Sequence, residues 1–369
     1  MAAPWMSSYD KVLTRLKAHP RTWLITGVAG FIGSHLLETL LRHDQQVVGL
    51  DNFATGSAKN LDEVRLLVSA RQWARFDFVR GDIVHPKTCR KVCHGVDIVL
   101  HQAALGSVPR SIADPVATNQ VNAMGILNML VASRDAGVRR FVYASSSAVY
   151  GDDPSMPKRE RRIGTPLSPY AASKLIGEIL AGVFARSFGL DTIGLRYFNV
   201  FGPRQDPEGP YAAVIPQWTV ALLRHRPIQI NGDGRTTRDF CFIANVVQAN
   251  LLAALVPRPR ILNSVVNIGN GARTSLNELF QQLRAEARCH DFSISPKRPK
   301  HLPPRPGDVR HSVAGIESAR KLLGYAPTHS FAEGLHSTFG WYLAKQSIVR
   351  NGVSRSEFTL ARPGRRSSV

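Results

Sequence analysis

Thr22-Trp-Leu-Ile-Thr-Gly27-Val-Ala-Gly30-Phe-Ile-Gly33 decides the fold. An apolar run is followed by three glycines at three-residue spacing, and then by a segment with helical apolar periodicity, Phe31 to Arg42. A strand, a tight turn and a helix N-terminus in that order form a unit that binds a dinucleotide. Gly27 permits the turn, Gly30 lets the backbone approach a pyrophosphate, and Gly33 lets helix and strand pack closely. The helix N-terminus adds free N–H groups and the positive end of its dipole. Asp51 closes the next apolar run, Gln46–Leu50. This is the distance, about 20 residues on, expected of a carboxylate that accepts the adenosine ribose hydroxyls. A carboxylate there repels a 2′-phosphate, and Asn52, Phe53 and Ala54 bring no arginine to receive one, so NAD is expected over NADP.

Outward from this unit, strand-like runs alternate with helix-like runs. The pattern predicts strands at 23–26, 46–50, 76–79, 98–101, 141–144 and 192–195, and helices at 31–42, 60–69, 86–93, 118–136 and 169–188. Such alternation implies an α/β, Rossmann-type, doubly wound parallel sheet over residues 22–198, with ligands beyond the carboxyl ends of the strands. Gly27, Asp51, Asp82, Ala103 and Ser146 each follow a predicted strand and converge on one crevice. Beyond Asn199 segments shorten, with helices at 211–225, 245–255 and 275–288 and strands at 228–231 and 265–268. Residues 199–346 read mostly as a smaller C-terminal substrate-binding lobe, with a return crossing near 240–255. Residues 1–21 read as an N-terminal extension, and 347–369 as a basic, disordered tail.

Tyr170-Ala-Ala-Ser-Lys174 places a phenol and an ammonium on one helix face. A lysine beside a tyrosine favours the phenolate, and such a tyrosine is a general base for an alcohol. Upstream, Ser145-Ser-Ser-Ala-Val-Tyr150-Gly ends a strand-like run. Serine, tyrosine and lysine in that order suggest a hydroxyl that holds a substrate oxygen while the tyrosine moves its proton.

With these come His101-Gln-Ala-Ala104, Gly106-Ser-Val-Pro-Arg-Ser111, Arg196-Tyr-Phe-Asn-Val-Phe-Gly202-Pro-Arg-Gln, Asn231-Gly-Asp-Gly-Arg-Thr-Thr-Arg238-Asp-Phe and Arg305-Pro-Gly-Asp308-Val-Arg-His-Ser312. From about Thr22 to about Tyr342 the chain resembles the extended short-chain dehydrogenase/reductases, and most of all their UDP-N-acetylglucosamine 4-epimerase branch. The resemblance implies reversible 4-epimerisation of a UDP-hexose, UDP-GlcNAc to UDP-GalNAc above others, through a transient 4-keto sugar with tightly bound NAD. It implies precursors for surface polysaccharide such as lipopolysaccharide. It makes Ser146, Tyr170 and Lys174 catalytic, with Ser145 and Ser147 competing for the serine role. Gly27, Gly30, Phe31, Ile32, Gly33, Asp51, Asn52, Phe53, Ser57, Asp82, Ile83, Gln102, Ala103, Ala104, Asn122, Tyr170 and Lys174 would hold the cofactor. Asp82 would bond the adenine amine, with Ile83 packing on the ring. Ser107, Ser146, Ser147, Asn199, Val214, Arg238, Arg305, Asp308 and Ser312 would meet the substrate. Ser147 would help hold an N-acetyl group, and Ser312 would leave room at the sugar's C2 substituent.

The resemblance also weighs alternatives. Related 4,6-dehydratases carry Asp-Glu where this chain has Ser147 and Ala148, and related decarboxylases carry Glu at the latter. UDP-glucuronate or UDP-N-acetylglucosaminuronate 4-epimerases are the nearest rivals, differing around Gly106–Arg110. An NAD-dependent dehydratase or oxidoreductase of the same fold is the other alternative. Helices 118–136 and 169–188 would pair across a homodimer.

The composition fits this reading. A hydrophobic share of 44% and a charged share of 20% are those of a globular protein. No apolar run approaches the ~18 residues of a membrane span, and Met1 to Pro20 lacks the apolar core of a secretory signal, so a cytoplasmic enzyme is expected. The net charge of +20 is dispersed, without interleaved aromatics, so nucleic acid is not the expected partner. Cys89 and Cys93 share a helix face with no accompanying Cys or His pair, so buried thiols are expected and a metal is not.

Overall fold

The structure is a computed structural model. It describes residues 6–208, 212–257, 263–290, 298–303 and 309–351, with side chains as far as 346. The strands are β1 Thr22–Thr26, β2 Gln46–Asp51, β3 Phe76–Arg80, β4 Ile98–His101, β5 Arg140–Ser146, β6 Thr192–Tyr197, β7 Val200–Phe201, β8 Gln229–Asn231, β9 Thr237–Arg238, β10 Cys241–Phe242, β11 Ser264–Ile268, β12 Thr274–Ser275 and β13 Lys300–Leu302. The helices are α1 Ser8–Ala18, α2 Phe31–Arg42, α3 Ala58–Leu67, α4 Ala70–Trp73, α5 Pro86–Cys93, α6 Val108–Ala113, α7 Pro115–Asn119, α8 Gly125–Asp135, α9 Pro169–Phe188, α10 Val214–Leu223, α11 Ile243–Leu255, α12 Leu276–His290, α13 Glu317–Leu323 and α14 Phe331–Asn351.

Seven parallel strands form the main sheet in the order β11-β6-β5-β4-β1-β2-β3. The chain starts at β1, winds outward to β3, then returns to β4 on the other side of β1. That reversal between β1 and β4 opens a crevice at the strands' carboxyl ends. The central strands β1 and β4 are apolar and buried, as parallel strands covered on both faces must be: Trp23, Leu24, Ile25, Ile98, Val99 and Leu100 are all fully buried. One cluster of buried side chains packs α2 and α11 on one face, and a second packs α5, α8 and α9 on the other. Cys89 and Cys93 lie in the second cluster as buried thiols.

Three elements differ from the sequence reading. The N-terminal extension carries a helix, α1, closed by a Ser7–Asp10 capping box. It buries Leu16 against the first cluster, and Gln45 Nε2 donates to Leu16 O at 2.9 Å. The expected helix 118–136 is three pieces, because a π-helical turn, Gln120–Met124, separates α7 from α8. The basic tail expected from 347 begins inside α14, which runs to Asn351; residues 352–369 lie outside the described residues. The return crossing is also larger than its helix. After α11, which is buried on nearly every side, β11 joins the main sheet beside β6.

Candidate active site

The glycine turn is tight for steric reasons. Gly27 has φ +72°, and a Cβ there would stand 2.9 Å from Ala103 Cα. A Cβ on Gly33 would stand 2.1 Å from Gly27 O, so helix α2 can meet the end of β1 only because Gly33 lacks a side chain. Gly30 ends the turn as the N-cap of α2. Asp51, at the end of β2, is fastened by backbone: Ala29 N donates to Oδ2 at 2.9 Å and Phe53 N to Oδ1 at 2.7 Å. Burial pushes its pKa up, and those bonds pull it down.

A crevice of about 1240 Å³ lies over this turn. It is lined by Gly27, Gly30, Phe31, Ile32, Gly33, Asp51, Asn52, Ser57, Asp82, Ile83, Gln102, Ala103 and Ala104 among others. Asp82 accepts from Asn52 Nδ2 at 2.7 Å and from Val84 N at 2.9 Å, which fixes its carboxylate beside Ile83. Ser57 caps α3. Gln102 turns its amide into the core, to Asn250 and Tyr197, so only its backbone faces the crevice. Phe53 does not line it; its ring packs on Phe78 at 5.3 Å. Asn122 sits in the π-helical turn and holds Leu105 N, Leu105 O and Ser173 Oγ, so its amide shapes the crevice wall instead of projecting into it.

Tyr170, Lys174 and Ser146 meet at the carboxyl end of β5. Ser168 caps α9, which places Tyr170 in its first turn. Lys174 Nζ donates to Ala144 O at 3.0 Å and stands 5.9 Å from the centre of the Tyr170 ring. Burial pushes the Lys174 ammonium down to about 8. The expectation that Lys174 lowers the Tyr170 pKa is not what dominates. Burial pushes the phenol up, the Ser146 hydroxyl pulls it down by a hydrogen bond, and the net direction is upward. The three serines divide their roles. Ser145 is buried and gives its hydroxyl to Glu178 Oε1 at 2.5 Å, whereas Ser146 and Ser147 are half-buried at the strand end. The Ser145 hydroxyl thus points to Glu178, which leaves Ser146 as the serine bonded to Tyr170.

The substrate-lobe residues are drawn toward one another. Asn199, at φ +29°, donates through Nδ2 to Asp239 O, and Ser312 N donates to Thr237 O at 3.2 Å. Arg238 lies between them on β9, its NH1 donating to Thr237 O at 3.0 Å. Val214 opens α10. Ser107, at φ +139°, caps α6. None of Tyr170, Lys174, Asn199, Arg238 and Ser312 lines the 1240 Å³ crevice itself. Arg305 and Asp308 lie outside the described residues.

The family model described as "NAD dependent epimerase/dehydratase family" matches residues 23–269, more than half of the chain. The chain belongs to the NAD-dependent epimerase/dehydratase family. A UDP-glucose 4-epimerase of Mycolicibacterium smegmatis is 37% identical over 324 residues, 87% of this chain and 98% of its own. A UDP-glucuronate 4-epimerase of Thermodesulfobacterium geofontis is 32% identical over 89% of this chain and 98% of its own. The solved UDP-N-acetylglucosamine 4-epimerase of Methanobrevibacter ruminantium, in complex with UDP-N-acetylmuramic acid, superposes with a TM-score of 0.80 at 35% identity, covering 88% of this chain and 99% of that one.

The protein is thus an NAD-dependent enzyme of the extended short-chain dehydrogenase/reductase class. Its own residues fit that family's cofactor. The glycine turn leaves bare backbone at the helix N-terminus, and the desolvated, backbone-held Asp51 favours hydroxyl groups over a second phosphate. Four features of this family member escaped the sequence reading. Glu178 joins Ser145 to Arg196. Thr26 Oγ1 pairs with His101 Nδ1 at 2.8 Å across the switch point. Asp239, its pKa raised by burial to about 6, accepts from Asn270 N, Gly271 N and Ala314 N and so ties three loops of the substrate lobe. Trp341, Tyr342 and Lys345 of α14 close the far side of the crevice. Only Glu178 carried a local signal, four residues after Lys174 on the same helix face.

Proposed function

We propose that the protein interconverts the C4 epimers of a UDP-hexose, with UDP-GlcNAc and UDP-GalNAc the preferred pair. The observation that carries this reading is the meeting of Tyr170, the Ser146 hydroxyl and Lys174 at the end of β5, beside the dinucleotide crevice. Tyr170 takes the proton of the sugar 4-hydroxyl and later returns it, and Ser146 hydrogen-bonds the same oxygen. Lys174, anchored on Ala144 O, keeps positive charge beside the phenol. NAD, when bound, supplies the redox partner for C4, and no net redox remains at the end of a cycle. Between the two proton transfers the 4-keto sugar turns over about its pyrophosphate tether. That requires the UDP end to be held and the sugar end to be loose. Asn199 and Arg238 hold the UDP end, as would Arg305 and Asp308, arginine being suited to bidentate donation to phosphate. Ser312 leaves room for the N-acetyl group.

A second reading is a UDP-glucuronate 4-epimerase, favoured by the Thermodesulfobacterium geofontis relative. An acidic pair for elimination is missing, since Ser147 and Ala148 occupy its place, and that disfavours a dehydratase. The working form is a homodimer in the cytoplasm. Ile176, Ile179 and Val183 form an exposed apolar stripe along α9, with Val116 and Met124 beside it on the neighbouring helix. Among the described residues no helix is long and apolar enough to cross a membrane. The experiment is incubation of pure protein with UDP-GlcNAc, UDP-Glc or UDP-GlcA, followed by NMR. Fastest growth of the C4 epimer from UDP-GlcNAc is expected. Epimerisation of UDP-GlcA alone would establish the second reading. Stoichiometric NADH release or loss of water would overturn both.

A further inference from the structure

We propose that Glu286 and His290 of α12, with His336 of α14, form a binding site for a late first-row divalent metal ion, zinc being the ion it fits best. The inference is independent of the epimerase reading, because none of the three residues belongs to the cofactor crevice or to the Tyr170 centre.

Glu286 and His290 stand one turn apart on α12 and so share a face. The neighbouring helix α14 brings His336 to that face. His336 Nδ1 is 2.8 Å from Glu286 Oε2, His290 Nε2 is 3.8 Å from the same oxygen, and the three ligand atoms all lie within 4.8 Å of one another. Zinc bonds of ~2.0–2.2 Å set the edge of a coordination tetrahedron at roughly 3.3 Å. The observed separations, from 2.8 Å to at most 4.8 Å, bracket that value, so side-chain rotations that move the ligand atoms by about 1.5 Å or less would close the site.

The hydrogen bond between His336 and Glu286 explains one pair by itself, but it leaves His290 unaccounted for. The His290 ring stacks with His336, at 4.9 Å and 22°, and with Phe339, at 5.4 Å and 12°. Its Nε2 is shielded from solvent and makes no hydrogen bond among the described residues. Gly340 leaves the space beside that nitrogen open: a Cβ there would stand 3.7 Å from Cε1 and 4.0 Å from Nε2. An oriented imidazole nitrogen with no partner, next to a carboxylate and a second imidazole, is a donor set for zinc, nickel or copper and a poor one for magnesium, which takes oxygen ligands. His336 is exposed, so water reaches the fourth position. An ion here would tie α12 to the helix whose next turn carries Trp341 and Lys345 to the crevice rim.

The test uses the full-length protein, stripped with EDTA and titrated with zinc chloride by calorimetry and by thermal melting. One zinc per chain and a rise in Tm are expected, because a ligand that binds only the folded state stabilises it. His290→Ala and His336→Ala should each weaken binding at least tenfold. His225→Ala, an exposed histidine elsewhere, should leave it unchanged, and magnesium should leave Tm unmoved. Circular dichroism of the variants checks that they fold; His336 lies at the surface, so its variant keeps the readout open if His290→Ala unfolds. Binding of zinc with unaltered affinity by His336→Ala, or no zinc retained at micromolar concentration, would overturn the proposal and leave a hydrogen-bonded surface cluster.

Discussion

Ser145 and Ser146 are adjacent in sequence, yet one hydroxyl is held by Glu178 and the other lies beside Tyr170. In the proposed cycle the second arrangement makes Tyr170 the proton carrier. Tyr170→Phe should therefore lower kcat by ~10²–10⁴-fold while NAD and UDP-sugar still bind, since general acid–base groups contribute in that range. Near-normal kcat with intact cofactor content would remove Tyr170 from the role. Lys174 gives a pH signature. Burial pushes its ammonium from 10.5 to about 8, so the charge is present below that pH and lost above it. The kcat/KM of the enzyme should fall as pH passes about 8. Lys174→Arg keeps its charge, so in that variant the fall should disappear or move well upward even if kcat is lower. A fall at the same pH in both proteins would assign it to another group. Ser312 is tied to β9 through Thr237 O, close to Arg238. Ser312→Tyr should shift the kcat/KM ratio between UDP-Glc and UDP-GlcNAc by about tenfold or more toward UDP-Glc, equivalent to ~1.4 kcal/mol, because only the larger sugar meets the added ring. Equal losses on both would show that Ser312 is not the gate. At this scale the turn glycines and Asp51 were legible because backbone geometry demands those residue types. The division among the serines was not, because it depends on a carboxylate that arrives from another helix.

The elements α9, β5 and β6 are joined by one buried cluster. Glu178 accepts from Arg196 Nε at 2.9 Å and NH2 at 2.8 Å, and Arg196 NH1 donates to Tyr150 OH at 3.0 Å. Both charged side chains are more than nine-tenths buried. Glu178→Ala would leave the Arg196 guanidinium unpaired in the core. It should cost ~3–5 kcal/mol in urea unfolding, the usual penalty for a buried charge stripped of its partner. A loss below 1 kcal/mol would mean that water or another acceptor replaces the carboxylate. Helices α2, α5 and α9 fall where the sequence places them, at Phe31–Arg42, Pro86–Cys93 and Pro169–Phe188, because their ends are chemically marked. Pro86 opens α5, Ser168 caps α9 at its start, and Gly189, at φ +68°, ends it. Helix α1 had an equally legible cap in Ser7 and Asp10. Its meaning was missed because the surface it covers, on α11, comes more than 200 residues later.

The whole molecule is held shut by contacts between distant parts of the chain. Arg204 pairs with Glu38 and Glu63, and Trp341 and Lys345 reach the same Glu63. No local pattern announces a contact between residues 63 and 341, which is why the closing role of α14 was invisible in the sequence. In the proposed homodimer the apolar stripe on α9 is the contact face. Ile179 is 57% exposed, and a charge there is harmless to a monomer but unfavourable inside an apolar interface. Ile179→Glu should convert a dimer to a monomer in analytical ultracentrifugation, with little change in the melting of the separated chain. A variant that sediments as the wild type does would place the interface elsewhere. The π-helical turn at Gln120–Met124 bears on this face and on the cofactor at once. An α-helix advances roughly 100° per residue, so one surplus residue re-phases everything downstream. Val116 and Met124 look outward, whereas Ile126, Met129 and Leu130 look into the core, and Asn122 grips the crevice wall between them. The segment works as a gear with a skipped tooth: a single deletion there would bring its two halves back into phase and leave one of them facing the wrong way. A change of length along 115–135 therefore disturbs both faces at once, whereas a change of an exposed side chain such as Val116 or Met124 disturbs only one.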